Sequence, residues 1–140
     1  MIRAVLDTNV LISGTLWNGP PSQILKTTNK FQLLLSEDIL KEFERVLLYP
    51  KLARYISRTG KIIPDLSNEI WNAAEHVTPT SIPDNVVRDE NDRIILAAAL
   101  GGHADYLVSG DDDLLDVGVS YMNVKIVNPS TFLVLLAQVT

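Results

Sequence analysis

Short apolar segments alternate with helical stretches along nearly the whole chain, and this alternation limits the fold more than any other feature. Residues 2–6 read as a strand that is apolar on both faces and stops at Asp7. "FQLLLS", "DYLVS" and "VKIV" read as three further strands of the same kind. Between them lie segments with helix signals. "GPPSQILKTTNK" places prolines in a first turn. Ser36 can cap a helix whose first turn holds Glu37 and Asp38 and whose apolar stripe is Ile39, Leu40, Phe43, Val46 and Leu47, with Pro50 ending it. Further helices are expected over residues 51–57 and about 65–75. "RIILAAALGG" reads as a nearly all-apolar helix beginning at Asn91 or Asp92, with alanines that permit close packing on a sheet and a double-glycine stop. A last helix begins at Pro129. Strands apolar on both faces, joined through helices, imply an α/β fold: one three-layer α/β/α domain, residues 1–140, with a central parallel sheet.

Composition narrows the functional classes. The 140 residues are enough for one sizeable core, and 46% apolar with 21% charged residues is an ordinary balance for a globular protein. There is no apolar run of membrane-spanning length, and no cysteine, which excludes disulfides, thiol catalysis and cysteine-held zinc and agrees with a cytoplasmic setting. A net charge of −5 argues against generic polyanion binding, but the charges are segregated. Six of the 12 basic residues fall within residues 41–61, and nine of the 17 acids within 84–116. That pattern is either two solvated faces or a basic arm beside an acidic pocket.

The acids carry the chemistry. In a parallel α/β sheet, ligands bind beyond the carboxyl ends of the strands. Asp7 ends the first strand, and Asp111 follows "DYLVS" by two residues. Asp92, at the start of the alanine-rich helix, and Glu42, one turn into its own helix at the border of the apolar stripe, can reach the same rim. Each has an ordinary role open to it. Asp7 can cap a helix or make an Asx turn, Asp92 can face a helix dipole, Glu42 can be solvated, and the Asp111-Asp112-Asp113 run can be a turn. Taken together, four carboxylates at one edge would repel unless a hard divalent cation neutralised them, and oxygen-only donors suit Mg²⁺ or Mn²⁺. His76 and His103 have no part in such a site.

"VLDTNVLIS", "SEDILKEFERVL" and "RDENDRIILAAALGGHADYLVSGDDDLL" together resemble the PIN-domain nucleases, and within them the VapC-like toxins of toxin–antitoxin pairs. The resemblance implies a metal-dependent ribonuclease that hydrolyses RNA phosphodiester bonds. It implies Asp7, Glu42, Asp92 and Asp111 as catalytic metal ligands, with Asp113 as an additional or substitute ligand. Asn9 and Ser109 match positions that support the acids, Ser109 standing where threonine is commoner. Asp89 lies where the family often has a further acid, and Glu90-Asn91 departs from the usual proline-containing spelling. Asp92 is preferred over Asp89 as the ligand because it stands four residues before Leu96 on the face turned to the sheet. Arg45, Arg54, Arg58 and Arg88 are candidates for gripping the RNA backbone. The expected partners are RNA, a small antitoxin and a second copy of the chain, with "TFLVLLAQV" either a dimer contact or a helix buried on the sheet. The alternative is a PIN fold kept as an RNA- or protein-binding module without turnover.

Overall fold

The computed structural model describes residues 1–83, 85–87, 89–110 and 120–139. Six strands form one sheet: β1 (Arg3–Leu6), β2 (Gln32–Leu35), β3 (Ala74–His76), β4 (Tyr106–Val108), β5 (Ser120–Tyr121) and β6 (Val124–Val127), in the spatial order β3-β2-β1-β4-β6-β5. The first five in that order are parallel, and β5 runs antiparallel to β6 at one edge. The helices are α1 (Thr8–Leu16), α2 (Pro20–Leu25), α3 (Glu37–Leu47), α4 (Ala53–Arg58), α5 (Ile63–Ala73), α6 (Glu90–Gly101) and α7 (Pro129–Gln138), with a short 3-10 turn at Pro50–Leu52.

β1 sits in the middle, and its sequence says why. Side chains of a strand alternate between faces, yet Ala4, Val5 and Leu6 are all buried. Both faces of the sheet are therefore covered, which gives the three-layer α/β/α arrangement. On one strand set lies α6, packed along β1, β2 and β4. Its Ala98 and Ala99 are fully buried, and their small side chains allow the close approach expected of them. α2 packs against α1 and α7, and Phe132 of α7 meets Phe31 edge-on with ring centroids 5.2 Å apart. That burial accounts for the apolar C-terminal helix, although its Val134 stays exposed.

The helix signals work as expected at several ends. The Ser36 hydroxyl accepts the Ile39 amide at 3.2 Å, and Asn128 accepts that of Thr131 at 2.8 Å. Other boundaries differ. The helix expected over residues 65–75 is α5, which starts at Ile63 with Pro64 in its first turn and gives way to β3 at Ala74. β3 pairs Glu75 with Leu34 and carries exposed side chains, so it has no apolar run to announce it. The Arg3 guanidinium holds it from below, binding Glu75 and the Gly102 carbonyl, and this partner keeps the Glu75 carboxyl below its usual range. The helix α6 starts at Glu90, one residue before the expected start, because Asp89 caps it.

The double glycine at the end of α6 acts by size rather than by backbone freedom. A Cβ on Gly101 would lie 1.8 Å from the Thr78 carbonyl oxygen, and one on Gly102 would lie 2.8 Å from Val77. The left-handed residue that turns the chain out of the helix is His103, with φ of 53°. The segment before α6 is held against it by Arg93, whose guanidinium donates to the carbonyls of Ile82 at 2.6 Å and Val87 at 3.3 Å.

Candidate active site

The chain runs outward from β1 to β2 to β3, then returns to place β4 on the other side of β1. The crevice between β1 and β4 is thus the topological switch point, where α/β sheets bind ligands. Register fixes which residues stand there. Leu6 pairs with Val108, so the next residues, Asp7 and Ser109, leave the sheet side by side. The Asp7 amide donates to the Val108 carbonyl at 3.0 Å, and the Ser109 amide to Val127 at 2.9 Å.

Asp7 is 5% exposed and Ser109 fully buried, and the Ser109 hydroxyl donates to Asp7 Oδ2. Asp7 Oδ1 accepts the Val10 amide at 2.9 Å and so caps α1. One carboxylate therefore does two jobs: it starts a helix and it lines a cleft. The capping role expected of an isolated aspartate is real and does not compete with the second.

That cleft, of about 160 Å³, is lined by Asp7, Thr8, Asn9, Glu42, Asp89 and Asp92, together with Val46, Asn91 and Ile95. The structure thus gathers five of the residues singled out from sequence as carboxylate ligands or their supports: Asp7, Asn9, Glu42, Asp89 and Asp92. Asp92 is 6% exposed, deeper than its neighbour Asp89. Asp89 Oδ1 accepts the amides of Asn91 at 2.8 Å and Asp92 at 3.2 Å, so its carboxylate holds the N-terminus of α6 while Asp92 looks into the fold one turn later. Thr8 and Asn91 line the cleft without having been singled out; Thr8 stands in the quoted Asp-Thr-Asn, and Asn91 beside the two α6 acids. Asp111 and Asp113, expected at the same rim, and Arg88 lie outside the described residues.

Glu42 comes to the cleft from α3, with a side chain 12% exposed. Both of its oxygens are taken by Arg45, at 2.9 and 2.5 Å, a bidentate fork one helical turn away. Arg45 also donates to the Tyr49 hydroxyl at 2.8 Å, and these two partners, Glu42 foremost, raise its pKa above the ordinary guanidinium value. Arg54 and Arg58 lie on α4, away from the cleft lining. His76 stacks on Trp71 at 3.4 Å, and neither it nor His103 touches the cleft.

The donor set fits a hard cation by type. It consists of carboxylate, amide and hydroxyl oxygens, without sulfur or imidazole. Its spacing is looser: among the described residues, no three acidic or histidine side chains stand close enough to hold one ion. Asp7 and Asp92 supply the deep oxygens, and Glu42 is committed to Arg45.

The fold is thus a three-layer α/β/α sheet with a set of acids at its switch point, the place where ligands of such sheets bind. The chain belongs to the PIN-domain family, whose description matches residues 3–113, a span that contains every candidate acid. Members of this family are generally nucleases and typically use divalent metals. The structure is also similar to the crystal structure of PAE2754 from Pyrobaculum aerophilum, with a TM-score of 0.58, 17% sequence identity, and coverage of 98% of this chain and 90% of that one. At that identity the likeness shows the fold. No curated protein matches the chain. No helix among the described residues is long and apolar enough to cross a membrane.

Proposed function

We propose that this protein is a metal-dependent endoribonuclease and the toxin of a toxin–antitoxin pair. The observation that supports this most is the pair of buried carboxylates, Asp7 and Asp92, lining an open cleft at the switch point of a PIN fold. Buried carboxylates are rare, and several of them lining one solvent-open cleft form an oxygen-only donor set that suits a hard divalent cation. Asp7, Glu42, Asp92 and Asp111 would hold Mg²⁺ or Mn²⁺, with Asp113 beside them.

When bound, the cation supplies an acidified water and neutralises charge on the scissile phosphate. The chain's own groups do the positioning. Ser109 and the Val10 amide fix the Asp7 carboxylate in one orientation, and Asp89 fixes the start of α6 and with it Asp92. Asn9, exposed at the mouth of the cleft, offers an amide to a phosphate oxygen. Arg45, exposed beside Glu42 at the cleft, is a candidate to grip the RNA backbone.

Single-stranded RNA should be cut in Mg²⁺ or Mn²⁺ and spared in chelator. Asp7→Asn keeps the shape of the side chain and removes its charge, so the rate should fall at least ~10²-fold. Equal cleavage by Asp7→Asn would overturn the assignment. The Arg45 fork on Glu42 favours a second reading, a PIN fold that binds RNA or protein without turnover. Tight RNA binding by wild type with no metal-dependent cleavage would select it. A small antitoxin covering the cleft and a homodimer formed through the exposed side of α7 complete the proposal, with a cytoplasmic place of work.

A further inference from the structure

The basic arm of the sequence has an aromatic partner in the fold. Trp17, the residue that ends α1, stands with its ring centroid 5.0 Å from that of Tyr55 on α4. Arg54 and Arg58 lie over the same Tyr55 ring, at 5.1 and 5.2 Å. One turn before α4, Lys51 lies 5.9 Å from the Tyr49 ring, and Arg45 lies over that ring at 5.4 Å. Residues 45–58 thus carry two groups of cations on rings, one at Tyr49 beside the cleft, where Arg45 binds Glu42, and one at the Tyr55–Trp17 pair. The cleft and Trp17 are joined by α1, whose nine residues run ~14 Å from the Asp7 cap.

These aromatics are unlike those of the core. Phe31, Phe43 and Phe132 are at most 1% exposed, whereas Trp17 is 40% exposed and the arginines on Tyr55 are solvent-facing. An acidic chain has placed four of its 12 basic residues here, over the half-buried Tyr49 and Tyr55 rings and beside the exposed Trp17. Positive charge interleaved with accessible aromatic faces is the arrangement that binds single-stranded nucleic acid, phosphates on the cations and bases on the rings. It does not suit a duplex, whose bases are already stacked.

We propose that Trp17 and Tyr55, with Arg54 and Arg58, form a platform on which unpaired bases of single-stranded RNA stack as the strand leads to the acidic cleft. This rests on the nuclease reading for its substrate, single-stranded RNA, and assigns the surface outside the cleft that receives the strand.

The test is binding in chelator, so that no cleavage intervenes, read from Trp17 fluorescence in a Trp71→Phe background. The probes are a single-stranded 12-mer RNA, the same sequence as a duplex, inorganic polyphosphate and polyglutamate. The single strand should quench Trp17 and bind more tightly than the duplex. By intrinsic Tyr fluorescence or filter binding, Trp17→Ala and Tyr55→Ala should each weaken RNA binding about tenfold, with polyphosphate binding unchanged and Trp17→Phe close to wild type. Arg54→Gln with Arg58→Gln should weaken both and flatten the salt dependence. Equal losses for RNA and polyphosphate in the aromatic variants, or no loss in either, would overturn the platform. So would tighter binding of polyglutamate than of RNA, which would point to an acidic protein partner. Cleavage that survives with unchanged RNA binding in Trp17→Ala and Tyr55→Ala defeats the platform alone. Ring-dependent binding without any metal-dependent cleavage supports the platform and defeats the nuclease reading instead.

Discussion

At the scale of single residues, Asp7 and Ser109 show how a sheet register becomes a site. Neither residue chooses its neighbour; the pairing of Leu6 with Val108 delivers both to the same point. Ser109 then contributes its hydroxyl to a carboxylate that is already buried. A hydrogen bond to a charged group is worth ~1.5–3 kcal/mol, so Ser109→Ala should destabilise the fold by about that amount in a urea titration. Ser109→Thr keeps the hydroxyl and should lose far less. If Ser109→Ala unfolds at the wild-type midpoint, the hydroxyl is not supporting Asp7. In the sequence Asp7 stands out because it interrupts an apolar run and Asp92 because it opens one, whereas Glu42 rests only on its place at the border of an apolar stripe. The fork between Arg45 and Glu42 was not legible, although the i, i+3 spacing was there to read, because the same spacing serves any solvated helix face.

Among the elements, α6 carries the most information about how the site is held. It supplies Asp92, Asp89 caps it, and its alanines lie on β1 and β4. Its last residue meets the chain that leads into it, since a Cβ on Gly101 would fall on the Thr78 carbonyl oxygen. Helix propensity alone favours alanine over glycine by ~1 kcal/mol. The clash is with backbone, which cannot rotate away, and overpacking of this kind costs ~1–3 kcal/mol. Gly101→Ala should therefore lower the thermal midpoint despite its better propensity, and a variant more stable than wild type would show that the 77–80 segment yields freely. Strand–helix alternation revealed β1, β2, β4 and β6 because those strands are apolar. It missed β3, which is three residues long with exposed Glu75 and His76, and β5, which is two residues long. The turn joining β5 to β6 places Met122 and Asn123 at positive φ, and methionine gives no signal for that conformation.

For the whole molecule, the deciding quantity is how the acidic cleft and the basic arm share Arg45. In the structure Arg45 neutralises Glu42, so the cleft keeps part of its negative charge compensated from within. On the proposed function, a divalent cation held by Asp7, Glu42 and Asp92 would have to displace that fork, and it would bind the folded chain only. Wild type should melt higher in Mn²⁺, by ~2.7 kcal/mol at one hundred times the dissociation constant, or about 5–10 °C for a chain of this size. Asp7→Asn should lose most of the shift. Arg45→Ala frees both Glu42 oxygens and removes a positive charge beside the cleft, so its melting point should respond to lower Mn²⁺ concentrations than wild type does. Glu42→Gln should respond only at higher ones. The same Arg45→Ala change should weaken RNA binding, since it removes a cation that is a candidate to grip the RNA backbone. Metal affinity and RNA affinity then move in opposite directions in one variant. If Arg45→Ala leaves the Mn²⁺ response where it was, Glu42 is not competing between arginine and metal, and its place among the ligands fails.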